Sequence, residues 1–177
     1  MNSHQKARLT QLAMLPLLLV FLVGAFSCAG YQLGSMLPPD IRTVVVPTFD
    51  NDTDEPQLEV ETTRRTISAI QRDGSLRLVP REEADSELLV TLVDFDLQPL
   101  AFDRDRRAAA EEYRLYITAA IQLIRLSTGE TIVENPRVRG ESTFEFFGDH
   151  SSAKLTAIPD AADDLAQQII STLVETW

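Results

Sequence analysis

Residues 113–133, YRLYITAAIQLIRLSTGETIV, contain the clearest structural pattern in the chain. From Tyr113 to Leu123 every second residue is apolar or aromatic, which is the spacing that places side chains on one face of a β-strand. A strand is therefore predicted over residues 113–126. The polar residues 127–130, STGE, predict a tight turn, and the β-branched residues after it predict an antiparallel return strand.

Two neighbouring segments extend this strand pair into an antiparallel meander. Residues 87–97 predict a strand with an acidic, solvated face formed by Asp94 and Asp96. Its predicted apolar face consists of Leu89, Val93, Phe95 and Leu97. The return strand is predicted to break at Pro136, because proline cannot donate a ladder hydrogen bond, and to continue over residues 138–147.

The remaining pattern adds helices and short strands. Residues 41–46 and 76–79 predict strands, and a helix is predicted from Pro56 to about Arg72, ended by Gly74. The last helix, residues 153–177, has one apolar face consisting of Ile158, Ala162, Leu165, Ile169 and Leu173. We therefore predict an α+β two-layer sandwich. Its sheet is mixed and mostly antiparallel, has about four strands, and carries two helices on one face.

The first 27 residues are typical of a targeting segment. Lys6 and Arg8 precede an uncharged, mostly apolar run over residues 9–26, and small residues flank Cys28. Cys28 is the only cysteine of the chain, so it cannot form an internal disulfide. We predict that residues 1–27 are a removed lipoprotein signal peptide and that Cys28 is acylated, for example with palmitate. The alternative is ordinary cleavage after Ser27, which leaves a free thiol.

Residues 28–177 are predicted to form a single periplasmic domain with a strongly acidic surface. The whole chain has a net charge of −11, and removal of Lys6 and Arg8 makes it more negative. Such a charge excludes a general affinity for nucleic acid and for anionic membrane surfaces. Membrane attachment is therefore expected to depend on the lipid at Cys28.

Catalytic and metal chemistry are not indicated. His150 lies in a short polar segment with Asp149 and Ser151, where a nucleophilic triad cannot easily form. The acidic run after Asp50 matches a calcium loop poorly, because Glu55 stands where that loop needs a glycine. We therefore predict no enzyme activity, no cofactor and no metal site.

Arg104, Arg106 and Arg107 form the only basic cluster, in the predicted connection between two long strands. Guanidinium groups bind phosphate through paired hydrogen bonds, so this cluster is a candidate contact for lipid phosphates or for acidic groups of a partner. The alternative is a solvated hairpin tip in which Asp103 and Asp105 neutralise the charge. Seven aromatic residues could contribute to a partner-facing surface, although most are expected in the core: Tyr31, Phe49, Phe102, Tyr116, Phe144, Phe146 and Phe147.

Several segments, taken in order, resemble the LptE family of lipopolysaccharide-assembly lipoproteins. They are Gly30-Tyr31 after Cys28, the strand leading into Pro47-Thr48-Phe49-Asp50-Asn51, Glu55-Pro56, residues 73–79 (DGSLRLV), Ala84-Asp85 before a strand, and a final helix ending at Trp177. The resemblance covers nearly all of residues 28–177. The residues before Cys28 depart from it, because Ala25 and Phe26 are unusual for a lipobox.

The resemblance implies a specific function. Members of this family lie at the periplasmic face of the outer membrane, plug the LptD β-barrel, assist its assembly and bind lipopolysaccharide. Two other functions remain open: an adaptor or pilotin of another envelope secretion machine, and a periplasmic lipid carrier.

Overall fold

The computed structural model describes residues 37–101, 111–146 and 150–174. These residues all belong to one compact unit, Ser35–Trp177. The strands are β1 (Thr43–Val45), β2 (Asp50–Asn51), β3 (Arg77–Leu78), β4 (Ser86–Ala101), β5 (Glu111–Arg125) and β6 (Thr131–Phe146). The α-helices are α1 (Leu58–Asp73) and α2 (His150–Val174), and a single 3₁₀ turn spans Arg81–Glu83.

The six strands form one mixed sheet in the order β3-β1-β4-β5-β6, with β2 also paired to β4. The long strands β4, β5 and β6 are antiparallel, whereas β1 pairs parallel to β3 and β4, and β2 pairs parallel to β4. The prediction of an α+β fold with a mixed sheet is confirmed. The predicted number of about four strands is wrong, since short backbone pairings such as that of β2 produce no side-chain periodicity.

Strand β5 has the alternation predicted from its sequence. Its core face consists of Leu115, Ile117, Ala119, Ile121 and Leu123, which are all buried. Strand β4 departs from prediction in its first half, where Leu88, Val90 and Leu92 are buried and Leu89 and Val93 are exposed. A register shift between Leu92 and Asp94 explains the difference, because the extra residue of a β-bulge reverses the faces that follow.

Strand β6 is continuous through Pro136, so the predicted break is wrong. Val138 pairs with Ala119 and Asn135 pairs with Ile121, which leaves Pro136 and Arg137 at an irregularity opposite Ala120. Pro136 is accommodated because it lies at this irregularity of an edge strand, where proline is tolerated.

Asp85 joins β1 to the start of β4. Its carboxylate accepts hydrogen bonds from the amides of Arg42 (3.0 Å) and Thr43 (2.9 Å), and its own amide donates to the Thr43 hydroxyl at 2.8 Å. The Thr43 side chain and then the Arg42 amide hold the pKa of the Asp85 carboxyl below its ordinary value. A charged acceptor therefore satisfies the backbone at the beginning of β1.

Helix α1 begins at Leu58, slightly later than predicted, and ends where predicted. Gly74 has a positive φ of 76° and its N–H donates to the carbonyl of Ile70, which is the expected glycine C-cap. The Thr63 hydroxyl accepts a hydrogen bond from the Phe49 amide at 3.0 Å, which fixes the segment between β1 and β2 against the helix.

Helix α2 packs backbone to backbone against β6. A Cβ atom at Gly140 would approach the backbone of Ala161 and Leu165 to less than 3.0 Å. The predicted apolar face of α2 is buried as expected, with Ile158, Ala162, Leu165, Ile169 and Leu173 all in the core. Both helices and one sheet face therefore enclose a single hydrophobic core.

Candidate partner-binding surface

The predicted site residues Cys28, Arg104, Arg106 and Arg107 lie outside the described residues. Strand β4 ends at Ala101 and β5 begins at Glu111, so the arginine cluster belongs to the connection between them. Of the aromatic set, Tyr31, Phe102 and Phe147 also lie outside the described residues. Phe49 is buried, and Phe144 packs against the core with its ring 5.9 Å from that of Tyr113.

Among the members of that set whose side chains the structure describes, Tyr116 faces away from the helices. Leu115 and Ile117 point into the core, so the pleat directs Tyr116 to the opposite face of β5. No described helix or strand lies over this opposite face, which we call the open sheet face. Tyr116 pairs in register with Asp96 of β4 on one side and with Glu141 of β6 on the other, so all three lie on the open sheet face.

Two arginines flank Tyr116. The guanidinium carbon of Arg139 lies 4.8 Å from the Tyr116 ring centroid, a distance at which a cation is attracted to the ring face. Arg114 lies 3.9 Å from the Glu141 carboxylate, and its Nε donates to the Thr143 hydroxyl at 3.4 Å. A hydrogen bond with the Tyr116 side chain raises the pKa of Arg114, and the negative charge of Glu141 raises it further. We call Arg114, Tyr116, Arg139 and Glu141 the arginine–tyrosine patch.

Thr118 lies next to the arginine–tyrosine patch. It is fully buried although it alternates with core residues Ile117 and Ala119, and its hydroxyl has no hydrogen-bond partner among the described residues. Sequence reasoning missed Arg139 and Thr118, because a single arginine and a single threonine in a strand give no pattern. Only the register of β5 with β6 places them beside Tyr116.

Strand β4 carries a second exposed feature. Val93, Leu97 and Leu100 have exposed fractions of 41%, 36% and 43%. β1 and β2 pair with β4 only up to Leu92, whose carbonyl also accepts a hydrogen bond from the Asp52 amide. Beyond this point no described residue pairs with the side of β4 opposite β5. We call residues 93–98 on this side the free edge of β4.

The middle of the outer edge of β6 is protected by side chains, which is not seen along the free edge of β4. The Glu141 amide donates to the Asp164 carboxylate of α2 at 2.9 Å, and the Arg137 amide donates to the Asn135 side chain at 2.9 Å. These bonds occupy amides that an edge strand would otherwise offer to another chain. The described β3, at the other end of the sheet, has only two residues.

An ion pair fixes the elements next to the free edge of β4. Lys154 of α2 lies 2.7 Å from the Glu55 carboxylate and 5.8 Å from the ring centroid of Phe95. Asn51 donates to the Glu55 carbonyl and to the Glu59 carboxylate, both at 2.8 Å. The polar run after Asp50 is thus held by hydrogen bonds that connect β2, α1 and α2.

The acidic residues considered for calcium do not converge. Glu61 binds Arg64 and Arg65 instead, and the Arg64 side chain, as the largest favourable contribution, lowers the pKa of Glu61. Within the described ranges no group of three His, Cys, Asp or Glu side chains is placed to hold a metal ion. The structure places His150 at the first position of α2, not in a turn before it. Neither described helix has the length and hydropathy needed to cross a membrane.

Comparison with known proteins identifies the class of protein. The sequence model of the LptE family, described as Lipopolysaccharide-assembly, matches residues 41–173. The match covers most of the chain and nearly all of its described elements. The protein belongs to the LptE lipopolysaccharide-assembly family.

Solved structures with similar folds include lipoproteins. Lipoprotein B from Nitrosomonas europaea has a TM-score of 0.53 at 16% identity, over 82% of this chain and 90% of that chain. A minor lipoprotein from Acinetobacter baumannii has a TM-score of 0.47 at 13% identity, over 78% and 94%. At 16% identity the similarity to lipoprotein B concerns the fold alone. No curated protein sequence matches significantly.

Proposed function

We propose that this protein is an outer-membrane lipoprotein, anchored at the periplasmic face through an acylated Cys28, that docks with an LptD-like β-barrel and assists lipopolysaccharide assembly. The observation that carries the proposal is membership of the LptE family over residues 41–173. The mechanism is steric: a preformed surface occupies the partner and presents one face to lipopolysaccharide, and no covalent bond is made or broken.

The short segment between Cys28 and the first described residues limits how far the domain lies from the membrane in this proposal. Asp40 forms an ion pair with Arg125 at the end of β5, next to the β5–β6 turn. The β4–β5 connection lies at the opposite end of these strands. An extended segment of residues 28–36 reaches at most about 30 Å. With Cys28 in the membrane, a tether of this length keeps the first described residues within about 30 Å of the bilayer.

The open sheet face supports docking through a preformed surface. It presents an aromatic ring with two arginines, the residue types enriched at protein interfaces. By contrast, the apolar cleft between the helix ends, lined by residues such as Ile70, Leu76 and Ile170, encloses about 10 Å³. That volume holds about one water molecule, so this cleft does not admit an acyl chain.

Co-purification tests the proposal. The full chain is isolated with a mild detergent from membranes of a Gram-negative host, and mass spectrometry identifies both its partner and its N-terminus. We expect a stable complex with a large β-barrel and a fatty-acylated Cys28. A different secretion protein in the complex would favour the adaptor or pilotin function, and a bound acyl chain in the isolated protein would favour the lipid carrier.

The arginine cluster is part of the same proposal. Replacing Arg104, Arg106 and Arg107 by alanine is expected to weaken binding to lipopolysaccharide or recovery of the barrel, because phosphate or carboxylate contacts are lost. The matched control replaces three exposed arginines elsewhere, Arg72, Arg77 and Arg137, and removes the same charge. If both triple variants behave like the unaltered protein, the cluster is a solvated hairpin tip.

A further inference from the structure

Among the described residues, part of the edge of β4 is free of any local cover or pairing. Two amides near the middle of β6 are bound by Asp164 and Asn135, and β3 has only two residues. The free edge of β4, residues 93–98, has no pairing partner among the described residues. Natural proteins usually cover or blunt long edges, because unpaired N–H and C=O groups recruit other chains. An open edge flanked by exposed apolar side chains is therefore a candidate interaction site.

The side chains along the free edge of β4 differ between the two faces. Asp94 pairs in register with Thr118 and Asp96 with Tyr116, so both carboxylates lie on the open sheet face. Phe95 and Leu97 pair with core residues Ile117 and Leu115, so they lie on the opposite face. Directly opposed side chains of adjacent strands come within about 5 Å of one another. A pairing strand would thus face carboxylates on one side and apolar groups on the other.

We infer that the free edge of β4 binds an extended segment of a partner protein by β-strand addition, and that this segment alternates basic and apolar residues. Basic residues would oppose Asp94 and Asp96, and apolar residues would extend the surface of Phe95 and Leu97. Backbone hydrogen bonds supply affinity in this mode, and the alternating side chains supply specificity.

Charge decides between the possible occupants. A second copy of this chain would place Asp94 and Asp96 beside equivalent carboxylates, and like charges directly opposed across strands are destabilising. The net charge of −11 adds further repulsion between copies. A basic strand has the complementary charge. Pro99 ends the site, because its backbone has no N–H to donate.

The inference does not rest on the proposed function. It specifies the chemistry of one contact surface, and it can fail while co-purification with a barrel succeeds, or hold while that experiment fails.

Binding is tested with the full chain and a short synthetic peptide in which lysine alternates with valine. Affinity is measured by calorimetry, and amide hydrogen exchange is measured with and without the peptide. We expect binding to slow exchange of those amides of residues 93–98 that point away from β5, because the amides that face β5 are already bonded. A peptide of the same charge with a central proline, and a peptide with glutamate in place of lysine, should each bind at least about tenfold more weakly.

Two double variants separate edge pairing from general attraction between opposite charges. V93K/L97K adds two lysines at exposed positions of the free edge, where they repel the basic peptide, and should weaken binding at least about tenfold. V60K/L89K adds the same charge at exposed apolar positions outside it, on α1 and at the start of β4, and should bind as the unaltered chain does.

Four results would overturn the inference. They are absence of binding, equal binding of the proline peptide, protection of amides outside residues 93–98, and equal weakening in the two double variants. Slow exchange, without peptide, of those amides of residues 93–98 that point away from β5 would also contradict it. The oligomeric state would then show what covers the free edge of β4. A dimer that forms with increasing concentration would indicate a second copy, and a monomer would indicate a segment of the same chain.

Discussion

Asp85 shows how one side chain can fix the order of strands in this sheet. Its carboxylate accepts two amide hydrogen bonds at the start of β1, while its backbone leads directly into β4. We expect Asp85→Ala to reduce the free energy of unfolding by about 1–3 kcal/mol, because two amides lose a charged acceptor. Urea denaturation at pH 7 measures the change. Asp160→Asn, at an exposed position of α2, is the control and should leave stability nearly unchanged.

The same carboxylate predicts a pH dependence. Because the pKa of Asp85 is lower in the folded protein than its ordinary value of 3.8, the unfolded chain binds this proton more readily. The stabilisation from Asp85 is therefore complete at neutral pH and is lost as the pH falls below about 4. Denaturation curves of the unaltered chain and of Asp85→Ala should approach each other between pH 5 and pH 3. A constant difference over that range would contradict this account.

Arg139 offers a further test at the residue scale, and it rests on the proposed function. Its guanidinium stacks on Tyr116 and forms no ion pair among the described residues, so it remains available to an anionic or aromatic group. We expect Arg139→Ala to weaken recovery of the barrel or binding of lipopolysaccharide several-fold, with little change in melting temperature. Arg137→Ala, an exposed arginine on the same strand, is the matched control. Equal effects of the two substitutions would assign the loss to net charge.

Prediction from the sequence succeeded for residues whose neighbours differ clearly in polarity. In β5 the alternation is strict, and its core face was assigned correctly. In β4 the run Leu88-Leu89-Val90 is apolar on both faces, so composition cannot distinguish the buried residues from the exposed one. The bulge near Val93 then changes the phase of the strand, and no residue type in the sequence identifies it.

At the scale of elements, the contact of α2 with β6 depends on the absence of a side chain at Gly140. An added methyl group would meet backbone atoms of Ala161 and Leu165, which cannot move without shifting the helix. We expect Gly140→Ala to lower the free energy of unfolding by about 3 kcal/mol, at the upper end of the usual range for overpacking. Chemical denaturation measures the loss.

Gly129 provides the comparison for that variant. It lies in the β5–β6 turn with a φ of 74°, and nothing lies within 4 Å of a Cβ built there. Gly129→Ala therefore introduces only backbone strain, which costs about 1 kcal/mol. If the two alanine variants were equally destabilised, steric contact with α2 would not be the cause at Gly140.

The elements themselves were predictable to different degrees. Both helices were recognised because glycine caps and one-sided apolar spacing follow from helix geometry. Strand β2 was not recognised, since Asp50 and Asn51 pair through their backbones and have side chains typical of loops. The continuity of β6 through Pro136 was missed because the edge position of a strand depends on the assembled sheet.

On the scale of the whole molecule, attachment to the membrane is expected to depend on one atom, the sulfur of Cys28. Cys28→Ala should move the protein from the membrane fraction to the soluble fraction, because a removed acyl anchor loses about 0.8 kcal/mol per buried CH₂ group. Fractionation followed by immunoblotting measures the distribution. The melting temperature of residues 37–174 should stay the same. Retention of the variant in membranes after a high-salt wash would show that another attachment exists.

The candidate surface was only partly predictable. Tyr116 was identified as a possible interface residue from its type, but its position between Arg114 and Arg139 depends on the pairing of three strands. The free edge of β4 could not be predicted, since it is defined by where β2 ends and by where the chain turns into α1.

The packing at Gly140 also bears on how this architecture can persist while sequences diverge. Because the side chain at Gly140 is a hydrogen atom, direct backbone contact sets the distance between α2 and β6 at that point. Aliphatic exchanges at neighbouring positions that keep the total core volume should leave this contact in place. Chains with little residue-by-residue correspondence could therefore keep superimposable backbones, provided that this one position stays without a side chain.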